Sequence, residues 1–436
     1  IRLWIGLTRV QLGDYDAAEG DFSRYIDAGG EQLARARLYR GICRVEKGDL
    51  AGARDDLTGA IPDLEGAERG YALAAFFELL VSNGDYQTVV EWYKRERARI
   101  DSVDVYREQL VRFAADAAYE TGEFDLAEEL YQTLTGTSST NTQIAYQRLY
   151  RIAEERGNEG EMDRIFRAAE RQLAGEPERL ADFWLSLGSE ALRKRRYELA
   201  EFYLSRLWNV RAERPVSATV AILLAQAIEE QGRTEEALAV VRESLDDTNL
   251  VDDDTLPQRY TLAARLLLKL DRAQDARALL ESYRSYTENA QSLYAWAHAA
   301  YLIGDHATVI DALERPQAQA FRRDIPALTR LLARVYLEAG SAVEAVRAYR
   351  TYLSGRSDDR EARIELIRAP VVAQQFSAAL SETDRIDTSG LSGDRLDEVN
   401  YLTGLSLFHE QRYAEALQAF DRVSSTAYEP LLSYHR

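Results

Sequence analysis

The chain has 436 residues, 46% of them hydrophobic and 29% charged, with a formal net charge of -19. That balance is too apolar for disorder, and its acidity argues against nonspecific nucleic-acid binding, which needs a basic face. The single cysteine, Cys43, excludes an intrachain disulfide and a cysteine-based metal cluster, and no run reaches the roughly 18 apolar residues of a membrane helix.

The first turn signal is Leu12-Gly-Asp-Tyr-Asp-Ala-Ala18. Counted from Gly13 as position 0, a small residue stands at -7 (Gly6), an aromatic at +2 (Tyr15), alanine at +5 (Ala18) and a large apolar residue at +9 (Phe22). The pattern returns at Gly48, Gly84, Gly122, Gly157, Arg195, Gly232, Asp271, Gly304, Gly340, Gln374 and Gln411, twelve times in all at spacings of 33 to 39 residues. Such a period marks a solenoid. Nine of the twelve have alanine at +5 and nine have glycine or alanine at -7, so two antiparallel helices can approach closely on either side of each turn. Each unit reads as helix A, tight turn, helix B, with the +9 residue expected in the seam to the next hairpin. Glycine at 0 takes positive φ at a helix C-terminus without steric cost.

A small residue, glycine, aromatic and alanine at this period resemble the tetratricopeptide repeat, and the resemblance runs over essentially the whole chain. It implies an all-α, right-handed superhelical α-solenoid whose concave groove, lined mainly by helix A, binds peptides or partner proteins. It also implies a single array over 1–436.

Taken in chain order, the first two A helices place Leu3, Leu7 and Val10, then Leu38, Ile42 and Val45, at positions -10, -6 and -3, the stripe that the resemblance turns toward the groove. So apolar a stripe points to a preceding segment or to a contact surface. Thr135-Gly-Thr-Ser-Ser-Thr-Asn141 reads as a polar loop ending in a helix cap, and residues 135–143 as a joint. The basic run Arg193-Lys-Arg-Arg196 occupies a turn position, where cations oppose the carbonyl ends of helix A. Val251-Asp-Asp-Asp-Thr255 lacks the alternating ligands and glycine of a calcium loop and reads as an inter-repeat loop with Asp254 or Thr255 as cap. Prolines 177, 215, 257 and 326 fall between units, but Pro370 lies inside a helix A and predicts an irregular unit near 366–375. The chain opens inside an amphipathic pattern at Ile1 and closes on Glu429-Pro-Leu-Leu-Ser-Tyr-His-Arg436, which resembles the opening of another unit, so a fragment of a longer bacterial protein is expected.

Repeats eight to eleven carry the functional candidates. Their stripe reads Arg265, then Tyr294, His298 and Tyr301, then Arg330 and Arg334, then Arg368. A basic and aromatic row inside an acidic molecule favours an acidic or carboxylate-bearing segment. The alternative is that the arginine stems cover apolar surface while their heads pair with glutamates. The lysine and asparagine set that chaperone-type tetratricopeptide domains use to clamp a C-terminal carboxylate is absent from the stripe. No metalloprotease, phosphate-loop, nucleophile-elbow or dinucleotide fingerprint appears. The expectation is a non-enzymatic scaffold without cofactor or metal that binds a protein or peptide. A docking module of a larger enzyme or envelope export protein and a self-associating structural protein are the alternatives, and the residues do not fix a compartment.

Overall fold

Each of the twelve turn positions adopts left-handed backbone, with φ from +57° to +80° in a computed structural model of the chain. The model describes all residues except 103–104, 137–139, 214, 248, 252, 284–285 and 425–436. The expected further unit at Glu429–Arg436, the middle of the 135–141 loop and one aspartate of the acidic run lie outside the described residues.

One pair of hydrogen bonds closes all of the turns. At the first, Gly13 N–H donates to the carbonyl of Val10 at 3.0 Å and Asp14 N–H to that of Arg9 at 2.9 Å. At Arg195 the same pair runs to Leu192 and Ala191 at 2.9 and 2.8 Å. This is the Schellman closure, which satisfies two carbonyls that the helix end would leave bare. Helix B then starts one residue later, and at five turns the side chain at +1 caps it: Asp14, Asp49, Asp85, Asn158 and Asp305 accept from backbone N–H groups three residues on. The four turns without glycine, at Arg195, Asp271, Gln374 and Gln411, hold L-residues at φ +57° to +62°.

Two compact units divide the chain, Ile1–Leu187 and Gly188–Arg436. In chain order the helices begin α1 (Arg2–Gln11), α2 (Tyr15–Asp27), α3 (Leu33–Lys47), α4 (Leu50–Ala60), α5 (Gly66–Ser82), α6 (Tyr86–Ile100), α7 (Arg107–Glu120), α8 (Phe124–Leu134), α9 (Thr140–Glu155), α10 (Glu159–Gln172) and α11 (Pro177–Arg193). They continue with α12 (Tyr197–Asn209), α13 (Thr219–Glu230), α14 (Thr234–Asp246), α15 (Leu256–Lys269), α16 (Ala273–Ser282), α17 (Ala290–Leu302), α18 (His306–Glu314), α19 (Pro316–Asp324), α20 (Pro326–Glu338), α21 (Ala342–Ser354), α22 (Arg360–Val372), α23 (Phe376–Thr383), α24 (Gly393–His409) and α25 (Tyr413–Phe420). From α1 to α10 in the first unit and from α12 to α25 in the second, successive helices pack on one another, as an α-solenoid of antiparallel pairs requires.

The periodic residues form the core. All nine alanines at +5 are at most 2% exposed. A methyl group added to Gly6 would sit 2.7 Å from the ring of Phe22, and one added to Gly404 2.5 Å from that of Phe420. Gly188 and Leu204 repeat the contact at 2.6 Å. The +9 side chain therefore fills the space left by the small -7 residue of its own hairpin, in addition to the expected contact with the next. It reaches the next hairpin as well, with Phe22 6.1 Å from Tyr39 and Phe166 5.9 Å from Phe183 between ring centroids.

In the N-terminal unit an ion pair repeats with the register. Arg9 meets Asp21 at 2.5 Å and Arg44 meets Asp56 at 2.9 Å, each an arginine at -4 facing an aspartate at +8. Arg40 adds a bidentate pair to Asp56 at 2.6 and 2.8 Å. In the apolar opening stripe Leu3 and Leu38 are buried, and Leu7 and Val10 pack in part with Phe22, Ala36 and Cys43. Cys43 is fully buried, which raises its thiol pKa to about 11.

The C-terminal unit holds two features the period did not reveal. Pro316 cannot continue α18, so the chain restarts as the extra helix α19. Val216–Ser217 and Leu250–Val251, on two successive inter-hairpin loops, form a two-residue parallel pair. Helix α22 runs through Pro370, whose carbonyl accepts the closing bond from Gln375 N–H at 2.7 Å.

Candidate functional site

Helix geometry makes the aromatic half of the site. Positions 294, 298 and 301 are spaced i, i+4 and i+7, so Tyr294, His298 and Tyr301 fall in one row on α17. The rings stack at centroid distances of 5.9 and 6.5 Å with interplanar angles of 25° and 18°. His306, at the start of α18, extends the row at 5.9 Å from Tyr301. Glu338 at the end of α20 ties its lower end: the Tyr301 hydroxyl donates to its carboxylate at 2.5 Å, and His306 Nε2 lies 3.2 Å from the other oxygen. Burial and that carboxylate push the Tyr301 hydroxyl up to about 12. Burial, with the charge of Arg334 beside it, holds His298 below its ordinary 6.5, so the row presents a neutral imidazole at pH 7.

The arginines of the stripe are clamps between neighbouring A helices. Arg265 on α15 binds both oxygens of Glu229 on α13 at 2.9 and 2.7 Å, with Lys269 3.3 Å from the same carboxylate. Arg330 and Arg334 on α20 converge on Glu365 of α22 at 2.8 and 2.5 Å, and Arg330 also reaches Asp359 at 3.1 Å. Arg368 on α22 pairs with Glu398 of α24. The three glutamates are 6–9% exposed. Burial raises the Glu365 carboxyl, but hydrogen bonds from Arg330 and Arg334 outweigh it and hold the group below its ordinary 4.5. These are charge-assisted contacts, bidentate at Arg265 and Arg330, and they place a carboxylate beside each arginine where the sequence row shows only the positive groups.

All seven stripe residues thus lie on α15, α17, α20 and α22 of one unit, the aromatic three in direct contact and the four arginines each paired with a carboxylate. Glu229, Glu338, Glu365 and Glu398 are the residues that the sequence reading missed. They stand at -3, -2, -9 and -13 from their turns, so no shared register exposes them. Among the described residues there is no group of three His, Cys, Asp or Glu poised for a metal ion, and no helix is long and apolar enough to cross a membrane.

A family model described as tetratricopeptide repeat matches residues 5–68 and 185–249. Comparison with curated proteins gives no match. Among solved structures, the Cut9–Hcn1 hetero-tetramer of APC/C is similar at 14% identity over 97% of this chain and 89% of that one, with a TM-score of 0.38. Pseudomonas aeruginosa pilF is similar at 16% identity over 48% and 90%, with a TM-score of 0.39. The C-terminal part of a repeat-containing protein from Cytophaga hutchinsonii is similar at 16% identity over 67% and 99%, also at 0.39. With those scores below 0.5, the repeat assignment rests on the turn register and the family match.

Proposed function

We propose that the chain is a non-enzymatic scaffold holding a partner segment along the shared face of α15, α17, α20 and α22, a reading supported by the match of residues 5–68 and 185–249 to the tetratricopeptide repeat, whose modules in general bind other proteins. The observation that carries this reading is the row of stacked rings at Tyr294, His298, Tyr301 and His306. Tyrosine and histidine rings held near-parallel in one row offer area for a partner's apolar or aromatic side chains at little entropy cost, and tyrosine is among the residues that tend to dominate interface energy.

Paired arginines change the partner chemistry. Arg265, Arg334 and Arg368 keep 53%, 39% and 42% of their side chains exposed, so each can share a partner carboxylate with its glutamate. They do so from a neutralised pair, so an acidic segment gains orientation more than affinity. Apolar and aromatic groups on the ring row supply the bulk of the binding.

Tyr294→Ala with His298→Ala removes the platform and leaves the arginine clamps intact. Loss of partner recovery by the full chain, with an unchanged unfolding midpoint, is the expected result, and undiminished recovery would refute the reading. Replacing Arg330, Arg334 and Arg368 with glutamate is a poorer test, because it sets like charges against Glu365 and Glu398 and unfolds the face itself.

A further inference from the structure

A depression in the N-terminal unit lies on helices other than those of the ring row. Consecutive A helices α3, α5 and α7 enclose a depression of about 420 Å³. Two small residues on α5 make room for it. At position -10 eleven of the twelve repeats carry a side chain larger than alanine, and the third has Ala74, followed by Ala75 at -9. The two alanines, Leu79 and Ile42 make an apolar floor, and Tyr71 and Tyr106 form one wall with ring centroids 5.8 Å apart.

Glu46 and Glu78 stand on the rim, and the depression has no lysine or arginine among its lining residues. Neither carboxylate has a hydrogen-bond or ion-pair partner among the described residues, and both are exposed. By contrast, Glu229, Glu338, Glu365 and Glu398 of the C-terminal unit are all paired. Burial raises the Tyr71 hydroxyl, and the negative charges of Glu46 and Glu78 add to it, so both glutamates act on that wall.

We propose that this depression binds an arginine side chain of an extended, basic partner segment. The aliphatic stem lies on Ala74, Ala75 and Ile42, the planar guanidinium faces the Tyr71–Tyr106 wall, and its N–H groups donate to Glu46 and Glu78. Guanidinium suits the place because it is weakly hydrated, stacks on aromatic faces and binds carboxylates through a fork of donors. The net charge of -19 draws a basic segment toward the chain from a distance. This site does not depend on the ring row of the C-terminal unit, and either can fail without the other.

The test uses the full chain and fluorescently labelled glycine–alanine decapeptides with two central arginines, two citrullines or two leucines, titrated by fluorescence polarisation. Arginine peptide is expected to bind roughly tenfold or more tightly than the citrulline or leucine peptides. Glu46→Gln with Glu78→Gln is expected to remove most of that preference. Ala75→Leu, which fills the depression and leaves both charges in place, is expected to weaken the arginine peptide similarly, with circular dichroism confirming the fold of each variant. Exposed Glu31 and Glu65, changed to glutamine together, are expected to have less than a twofold effect. The proposal is overturned by equal loss in that control pair, by unchanged binding in the Glu46/Glu78 variant, or by leucine peptide binding as well as arginine peptide.

Discussion

Arg195, Asp271, Gln374 and Gln411 hold left-handed backbone at turns where the other eight repeats use glycine, and all four lie in the C-terminal unit. An L-residue in that conformation costs about 1–2 kcal/mol, because Cβ crowds the following carbonyl. Glycine removes the strain but returns about 0.5–1 kcal/mol of unfolded-state entropy. The net gain on replacement is then about 0.5–1 kcal/mol per turn, smallest at Asp271, whose short side chain tolerates this region. Open surroundings support a pure backbone effect: a methyl group built on any of the eight turn glycines meets nothing within 4 Å. The fourfold glycine variant should gain about 2–4 kcal/mol, and at an m-value of about 2–3 kcal/mol/M its urea midpoint should rise by about 1 M. Circular dichroism during urea titration reads this, with the fourfold alanine variant as control, since alanine keeps the strain. An unchanged or lowered midpoint in the glycine variant, or an equal rise in the alanine variant, would refute the reasoning.

Three further outcomes follow from the packing and the charges. Gly404→Ala drives a methyl group into the ring of Phe420 at 2.5 Å and should cost about 1–3 kcal/mol, against a smaller loss for Gly41→Ala, where the nearest atom is 3.0 Å away, both measured by urea unfolding. Asp56→Ala strands Arg40 and Arg44, whose side chains are 16% and 21% exposed, so the cost should fall below that of a fully buried pair, at about 2–3 kcal/mol, where Asp56→Glu should recover part of it. Acidification should destabilise the C-terminal unit in two stages. His298, held below 6.5 in the fold, takes up its proton more readily when unfolded, so stability falls as pH drops below about 6.5; Glu365, held below 4.5, adds a second loss under that value. His298→Gln should flatten the first stage and Glu365→Gln the second in unfolding midpoints taken from pH 8 to 4, and a profile unaffected by either change would contradict the assignment.

The turns and the core were legible because each rests on residue types with one structural use. Glycine at 0, alanine at +5 and a large residue at +9 recur with the helix pair, so a period search finds them even where Arg195 or Gln411 replaces the glycine. Pro316 was passed over, and with it α19, since nothing periodic marks an insertion within a repeat. At the site, spacing alone placed Tyr294, His298 and Tyr301 in one row. The same spacing showed Arg330, Arg334 and Arg368 without the glutamates that neutralise them, because an ion pair between neighbouring helices joins positions some 30 residues apart with no fixed offset. Ala74 was equally silent, as a depression is made by what its neighbours have and it lacks.

The central claim, that the face of α15, α17, α20 and α22 holds a protein partner, is tested most directly by site-specific photocrosslinking in the organism from which the chain comes. A benzophenone amino acid at position 294 is compared with one at position 343, where Val343 is 53% exposed on the second helix of a hairpin. Adducts to one defined partner from position 294 and none from position 343 are the predicted result. Adducts from position 343 alone, equal adducts from both, or none from position 294 would contradict it.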